Sequence, residues 1–266
     1  MTADSPNNEA IKLLQIVEAL QVQYGYEKSF QFSHKSLSTN RFLISLNKNS
    51  LGENSQDKIF NICKFLALPA KFLDIIYKHI HQTKFIHFGF EKNASKNLYK
   101  IYLELAEPLK HSHLNSILLH LGLKWSPHNP SQAFLTRYIW HQCLSNKKIL
   151  KRIEDIYEDK NSPSYLLVEE LINLIKNDEV LNYLEVTEDG NSRKSYDINF
   201  YDAELKIADL EPTLLEMCKY YAIDSYKFNS FYHIIKTKQF GHLAGGIHRN
   251  GQDFFNVYYG VEAKGE

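Results

Sequence analysis

Apolar positions along this chain switch between a helical period and a period of two, and the switches divide it into elements. Over residues 9–24, Ile11, Leu14, Val17 and Leu20 recur at helical spacing and predict a first helix. Phe30-Gln31-Phe32 reads as a short strand. Residues 41–47 read as a longer one, with Phe42, Ile44 and Leu46 on one face and Arg41, Ser45 and Asn47 on the other. Ser55 as N-cap, with Asp57 in the first turn, opens a helix to Leu68 that Pro69 ends. Residues 71–82 form a second helix through Phe72, Ile75, Ile76 and Ile80. Strands at 84–92 and 97–105 follow, joined at the polar tip Asn93-Ala94-Ser95.

The next unit is abbreviated: 107–115 has room for a short helix only, before strands at 117–125 and 134–141. Ser145 caps a helix at 147–158, and Ser162-Pro163-Ser164 opens another at 165–176. Strands at 181–187 and 194–201 flank the turn Glu188-Asp189-Gly190-Asn191. Helices at 212–221 and 225–236 precede strands at 241–249 and 254–261, joined by Arg249-Asn250-Gly251, whose Asn-Gly is a strong hairpin signal.

The order is therefore α–ββ, αα–ββ, (α)–ββ, αα–ββ, αα–ββ, with ten strands in five hairpins. Hairpins make antiparallel neighbours, and an open sheet of that size keeps two unpaired edges unless it closes. The expectation is an α+β fold: a ten-stranded antiparallel barrel ringed by helices, with apolar outer strand faces and a polar lumen. An open sheet with helices on one face is the alternative. No low-complexity linker divides the chain, so 1–266 is expected to be one domain.

Composition narrows the function. Hydrophobic residues at 44% and charged residues at 23% suit a packed core. Lys+Arg 31 balances Asp+Glu 31, so no overall field draws the chain to nucleic acid or to an anionic membrane. No stretch approaches the roughly 18–20 apolar residues of a membrane span, and the polar, acidic residues 1–9 are unlike a secretory signal. Cys63, Cys143 and Cys218 are scattered and odd in number, which suggests a reducing cytoplasm and core packing. Seventeen Tyr, sixteen Phe and two Trp are enough aromatics to line a pocket for a flat or cationic ligand.

Strand phase gives the candidate lumen residues. Arg41, Lys100, Lys124 and Arg137 sit on four different strands. Tyr102, Tyr201 and Tyr258 share inferred inward rows. Glu104 continues the row of Tyr102, Glu91 and Glu185 lie on inward rows elsewhere, and Asp197 and Asn199 share a row with Ser195. His242 and His248 share one strand face with small residues between them, which reads as a pocket floor or as a bend with two hydrated histidines. His79-x-His81 and His111-x-His113 are poor metal pairs, because helical residues two apart face different directions. GxSxG, CxxC, GxGxxG, Walker and DDxxD motifs are all absent from the sequence.

The repeated ααββ order resembles the ABBA family, the soluble aromatic prenyltransferases with a PT-barrel, over most of the chain. Lys100-Ile101-Tyr102 matches the family's Lys-x-Tyr in phase, because Ile101 and Leu103 take the outer face; Lys194-Ser195-Tyr196 has the same spelling. The reduced third unit is similar to the peptide-modifying branch. The resemblance implies transfer of a dimethylallyl or geranyl group from its diphosphate to an aromatic or other electron-rich acceptor, a small molecule or a peptide side chain. It implies a diphosphate cradle of Arg41, Lys100, Tyr102, Lys124 and Arg137. The prenyl and acceptor pocket would use Tyr201, Tyr258, His248 and Asn199, and the base would be one of Glu104, Glu185, Glu91 and His242. No cofactor is required on this reading, with Mg²⁺ optional at Asp197, and the protein is expected to be a monomer. The competing reading is a non-catalytic barrel or α+β module that binds an apolar ligand or a protein partner. Convergence of the four basic side chains beside tyrosines favours the enzyme; scatter on the rim favours the binding module.

Overall fold

The structure, a computed structural model, describes residues 8–93, 96–105, 115–175 and 181–265. The hairpin tip at 94–95, nearly all of the short helix expected at 107–115, and His111 and His113 lie outside the described residues. In chain order the elements are α1 (Asn8–Glu18), β1 (Tyr24–Ser33), β2 (Ser36–Ser38), β3 (Arg41–Asn47), α2 (Ser55–Phe65), α3 (Ala70–His79), β4 (Thr83–Asn93) and β5 (Lys96–Leu105). Then come β6 (Ser116–Ser126), β7 (Asn129–His141), α4 (Asn146–Tyr157), α5 (Pro163–Asn173), β8 (Asn182–Glu188), β9 (Lys194–Asn199), α6 (Glu211–Tyr220), α7 (Ser225–Ile235), β10 (Phe240–Ile247) and β11 (Asp253–Lys264).

Each strand from β3 to β11 pairs with the next in sequence, β1 pairs with β3, and β1 also pairs with β11. Every pairing is antiparallel. The last pairing closes a barrel of ten strands, and β2 is a short return on the end of β1. The expected closed barrel is present, so its strands keep no unpaired margin.

Outward rows are apolar because helices cover them. Ile44, Ile86, Phe88, Ile101 and Leu123 pack with Leu13, Ile59, Ile62 and Ile76 of α1–α3. On the other half, Phe30, Tyr196, Ile198, Leu243 and Val257 pack with Ile149, Val168, Leu214 and Phe228 of α4–α7. Fully burying one such side chain contributes on the order of 1.5–3 kcal/mol, so these two clusters hold the helices to the barrel.

Local corrections have local causes. The first helix stops at Glu18 rather than near Tyr24: Gln21 takes a positive φ of 52°, and Tyr24 begins β1, opposite Lys264. Asn54, not Ser55, is the N-cap of α2, and its side chain makes no cap hydrogen bond. Residues 201–203 form a short 3₁₀ turn in place of the end of a strand. Cys63 and Cys218 are buried as expected, whereas Cys143 is exposed; all three are free. Among the described residues no helix is long and apolar enough to cross a membrane.

Candidate active site

The lumen is polar because the alternation that turns Ile101 and Leu103 outward turns Lys100, Tyr102 and Glu104 inward. Register then stacks the inward rows: Arg41 is opposite Glu91 across β3–β4, and Lys100 is opposite Gly89 and Lys124. The result is a buried cluster of charge. Glu91, 1% exposed, lies 2.8 Å from the Arg41 guanidinium and 2.7 Å from Lys100 Nζ, and Lys124 is also paired with it. Arg41 further donates to Asn256 Oδ1 at 3.1 Å and to Gln31 Oε1 at 3.3 Å. Nearby, Glu188 accepts from Arg193 and Arg249.

Arg41, Lys100, Lys124 and Arg193 therefore line this part of the lumen together with the carboxylates of Glu91 and Asp197, while Glu188 pairs Arg193 and the 41% exposed Arg249. Burial lowers the Lys100 ammonium to about 8, with Arg41 and Arg193 acting in the same direction. Lys124 is pushed down further, again first by burial and then by the arginines. Burial first and the neighbouring arginines second disfavour the charged ammonium, and an incoming anion relieves both.

The cluster opens on a cavity of about 60 Å³ that Tyr102, Tyr138, Tyr258, Asp197 and His248 also line. Tyr102 and Tyr138 meet edge to face at 5.5 Å, and burial raises both phenols, so both stay protonated. Gly122 permits the close approach: a Cβ there would sit 2.5 Å from Thr136 Oγ1 and 2.9 Å from the Tyr102 ring. Tyr258 stacks on His242 with centroids 3.8 Å apart, and Phe254 stacks on His248 at 4.1 Å. The glycines between the two histidines admit other neighbours: a Cβ at Gly245 would sit 2.8 Å from the Tyr196 ring, and one at Gly246 would sit 2.6 Å from Ser195 Cα of β9.

His242 is a fixed cation. Burial alone would lower it, but Asp197, 2.9 Å from Nδ1, and Glu27, 3.3 Å from Nε2, outweigh burial and lift it to about 10. It is protonated at neutral pH and so does not serve as a base. His248 is the opposite case: burial and the surrounding cations hold it near 3, so it is neutral.

The remaining expected residues divide clearly. Glu104 is in the lumen, 3.3 Å from His87 Nε2, whose Nδ1 meets Ser45 Oγ at 2.8 Å. Burial would raise the Glu104 carboxyl, but His87 and His120 hold it below the usual range. Glu91 is also inward, although its three ion pairs leave it no freedom as a base. Asp197 lines the cavity with its carboxylate turned to His242. Tyr201 reaches the His242 end from the 3₁₀ turn and donates to Glu27, while the Asn199 side chain accepts from the Tyr201 backbone N–H. Two inward expectations are corrected. Arg137 faces outward, 40% exposed and paired with Asp189, and Glu185 faces outward to Arg152 and His141. The row Leu135–Arg137–Ile139 belongs to the outer face, and on β8 both faces carry apolar residues, so neither strand has a sharp phase signal.

Tyr138, Gln31, Asn256 and Arg193 were not singled out by the sequence. Counting by twos from Tyr258 finds Asn256, and once Arg137 is known to face outward its neighbour Tyr138 must face inward; Arg193 precedes β9 in a loop and leaves no periodic trace.

No protein-family model and no curated protein matches the chain. Solved structures do. PriB in its binary complex with product diphosphate superposes with a TM-score of 0.59 at 10% identity, covering 88% of this chain and 79% of that one. The 6-dimethylallyltryptophan synthase of Micromonospora olivasterospora, in complex with DMASPP and Trp, gives 0.58 at 11%, covering 88% and 81%. AnaPT from Neosartorya fischeri gives 0.55 at 11%, covering 88% and 77%. The likeness is one of fold: the chain has the PT-barrel of the ABBA prenyltransferases.

Proposed function

We propose that this PT-barrel chain is a prenyltransferase that moves an allylic group from its diphosphate to an aromatic or other electron-rich acceptor. The observation that carries the reading is the convergence of Arg41, Lys100 and Lys124 beside Tyr102 and Tyr258 in one buried lumen. A module for an apolar ligand or a protein partner gains nothing from buried, mutually repelling cations, because each is costly to keep out of water.

The chemistry follows from the groups present. The donor's C–O bond breaks and the electron pair leaves with the diphosphate, whose growing charge Arg41, Lys100 and Lys124 neutralise. Tyr102, Tyr138 and Tyr258 shield the allylic cation from water and stabilise it through their ring faces. The acceptor's ring carbon forms the new C–C bond and its proton passes to Glu104, oriented by His87. The cavity is small, so the five-carbon dimethylallyl donor requires the least rearrangement. Mg²⁺ is not required on this reading: Asp197 is engaged by His242 and Glu91 by three cations, so neither offers a free carboxylate beside the diphosphate.

The test is mass spectrometry after incubation with dimethylallyl or geranyl diphosphate and a panel of indole, Trp, Tyr and Trp- or Tyr-containing peptides. An acceptor gaining one prenyl unit in place of hydrogen is the expected result. No product from any pair, together with no rise in melting temperature on adding either donor, overturns the reading.

A pH dependence follows from Lys100. Its protonated form binds the anion, so affinity holds below about 8 and falls above it, until the higher pKa of the bound ammonium is reached. Inorganic pyrophosphate binding, measured calorimetrically at pH 7 and 9, is compared between wild type and Lys100→Gln to cancel the ligand's own ionisation. The wild-type advantage is expected to shrink by about tenfold between the two pH values. An advantage that stays constant removes Lys100 from the anion site.

A further inference from the structure

Beyond Tyr138, the lumen holds a second cluster of side chains on three successive strands: His87 on β4, Glu104 on β5 and His120 on β6. Glu104 and His120 are direct register partners, and Glu104 also faces Phe85, two residues before His87. One ligand atom from each of the three lies within 4.8 Å of the other two. His87 Nε2 and Glu104 Oε2 are 3.3 Å apart. Two ligands of a tetrahedral ion with bonds of about 2.0–2.1 Å are separated by roughly 3.3–3.4 Å, so this pair already has the spacing.

Three further observations converge on the same place. The Ser45 hydroxyl holds His87 Nδ1 at 2.8 Å, the kind of outer hydrogen bond that fixes the ring of a metal-bound imidazole. His120 Nδ1 is buried with no hydrogen-bond partner, a deficit that a ligand bond to the ring would help offset. The His87 and Glu104 side chains keep 16% and 23% exposure, which gives an ion a way in.

We propose that His87, Glu104 and His120 form a binding site for a divalent transition-metal ion of the Zn²⁺ type, with a coordination position left open to the lumen. Two imidazoles and one carboxylate suit Zn²⁺, whereas Mg²⁺ takes oxygen ligands. The site therefore differs in chemistry and in place from a magnesium bridged to a diphosphate. Tyr138 separates it from the basic cluster, its ring 5.5 Å from Tyr102 and 5.8 Å from His120. The site does not depend on the prenyl-transfer reading. Where both hold, Glu104 would be a ligand, and the ion would supply the base: a water at the open position would lose a proton to solvent, and the resulting hydroxide would accept the acceptor's proton to become water again.

The test is titration of the metal-stripped full chain with Zn²⁺, followed by calorimetry and thermal unfolding. One ion per chain is expected, with micromolar or tighter affinity, a higher melting temperature, and no competition from excess Mg²⁺. Glu104→Gln and His120→Asn should each weaken binding by more than about a hundredfold, and His81→Asn should leave it unchanged. Absence of stoichiometric binding overturns the site, and so does binding that survives both substitutions. Should a variant fail to fold, Co²⁺ added to wild type carries the test. Intense visible bands that Zn²⁺ abolishes support the site, and a spectrum like that of the free ion overturns it.

Discussion

Lys100→Ala is expected to lower turnover by about 10²–10³-fold while leaving the melting temperature within a few degrees of wild type. The two halves of that result have separate causes. Turnover falls because Lys100 places a buried ammonium where the leaving group's charge develops, and removing one such preorganised donor raises the barrier by roughly 2.7–4 kcal/mol. Stability is spared because the ammonium is poorly solvated, as its value of about 8 shows, and Glu91 keeps two partners in Arg41 and Lys124. Steady-state kinetics with dimethylallyl diphosphate and a thermal melt check both halves. Unchanged turnover would take Lys100 out of the reaction. A comparable loss in a distant surface variant such as Lys151→Ala would show that the assay reads folding instead.

Glu91→Gln is expected to have the opposite profile, with a large effect on stability. Glutamine keeps the shape but leaves Arg41, Lys100 and Lys124 facing one another in a closed lumen. Stranding buried charge in this way costs about 3–5 kcal/mol, or a fall in melting temperature on the order of 10 °C in a chain of this size. The pH response gives the sign. Without Glu91 the folded lysines release their protons at lower pH than the wild-type value of about 8, so the variant gains stability relative to wild type as pH rises toward 8, and the deficit narrows over that range. Pyrophosphate should also raise the melting temperature of the variant more than that of wild type, because it restores the lost negative charge. A variant that melts like wild type at pH 7, or that gains nothing from pyrophosphate, would show that Glu91 does not neutralise the cluster.

Much of the site could be read from alternation alone. Phe42, Ile44 and Leu46 point outward together, which turns Arg41 inward, and Ile101 and Leu103 do the same for Lys100, Tyr102 and Glu104. Phase failed where both faces are apolar, as on β8, or where a charged residue reaches water from the outer face, as Arg137 does beside Asp189. His87 and His120 escaped notice for a different reason. Each is a single histidine in an ordinary inward row, and they become a cluster only when β4, β5 and β6 are set in register around Glu104.

By itself, then, the amino-acid order determined the elements, their pairing into hairpins, and which face of β3 to β6 is polar, because side-chain period and turn chemistry are local. The tertiary structure decided which distant strands meet. Pairing of β1 with β11 brings Arg41 to Asn256, 215 positions away, and Glu27 to His242. No local period encodes that pairing. It follows from ten twisted strands satisfying their last free edge, and the buried charge cluster exists because that edge closed.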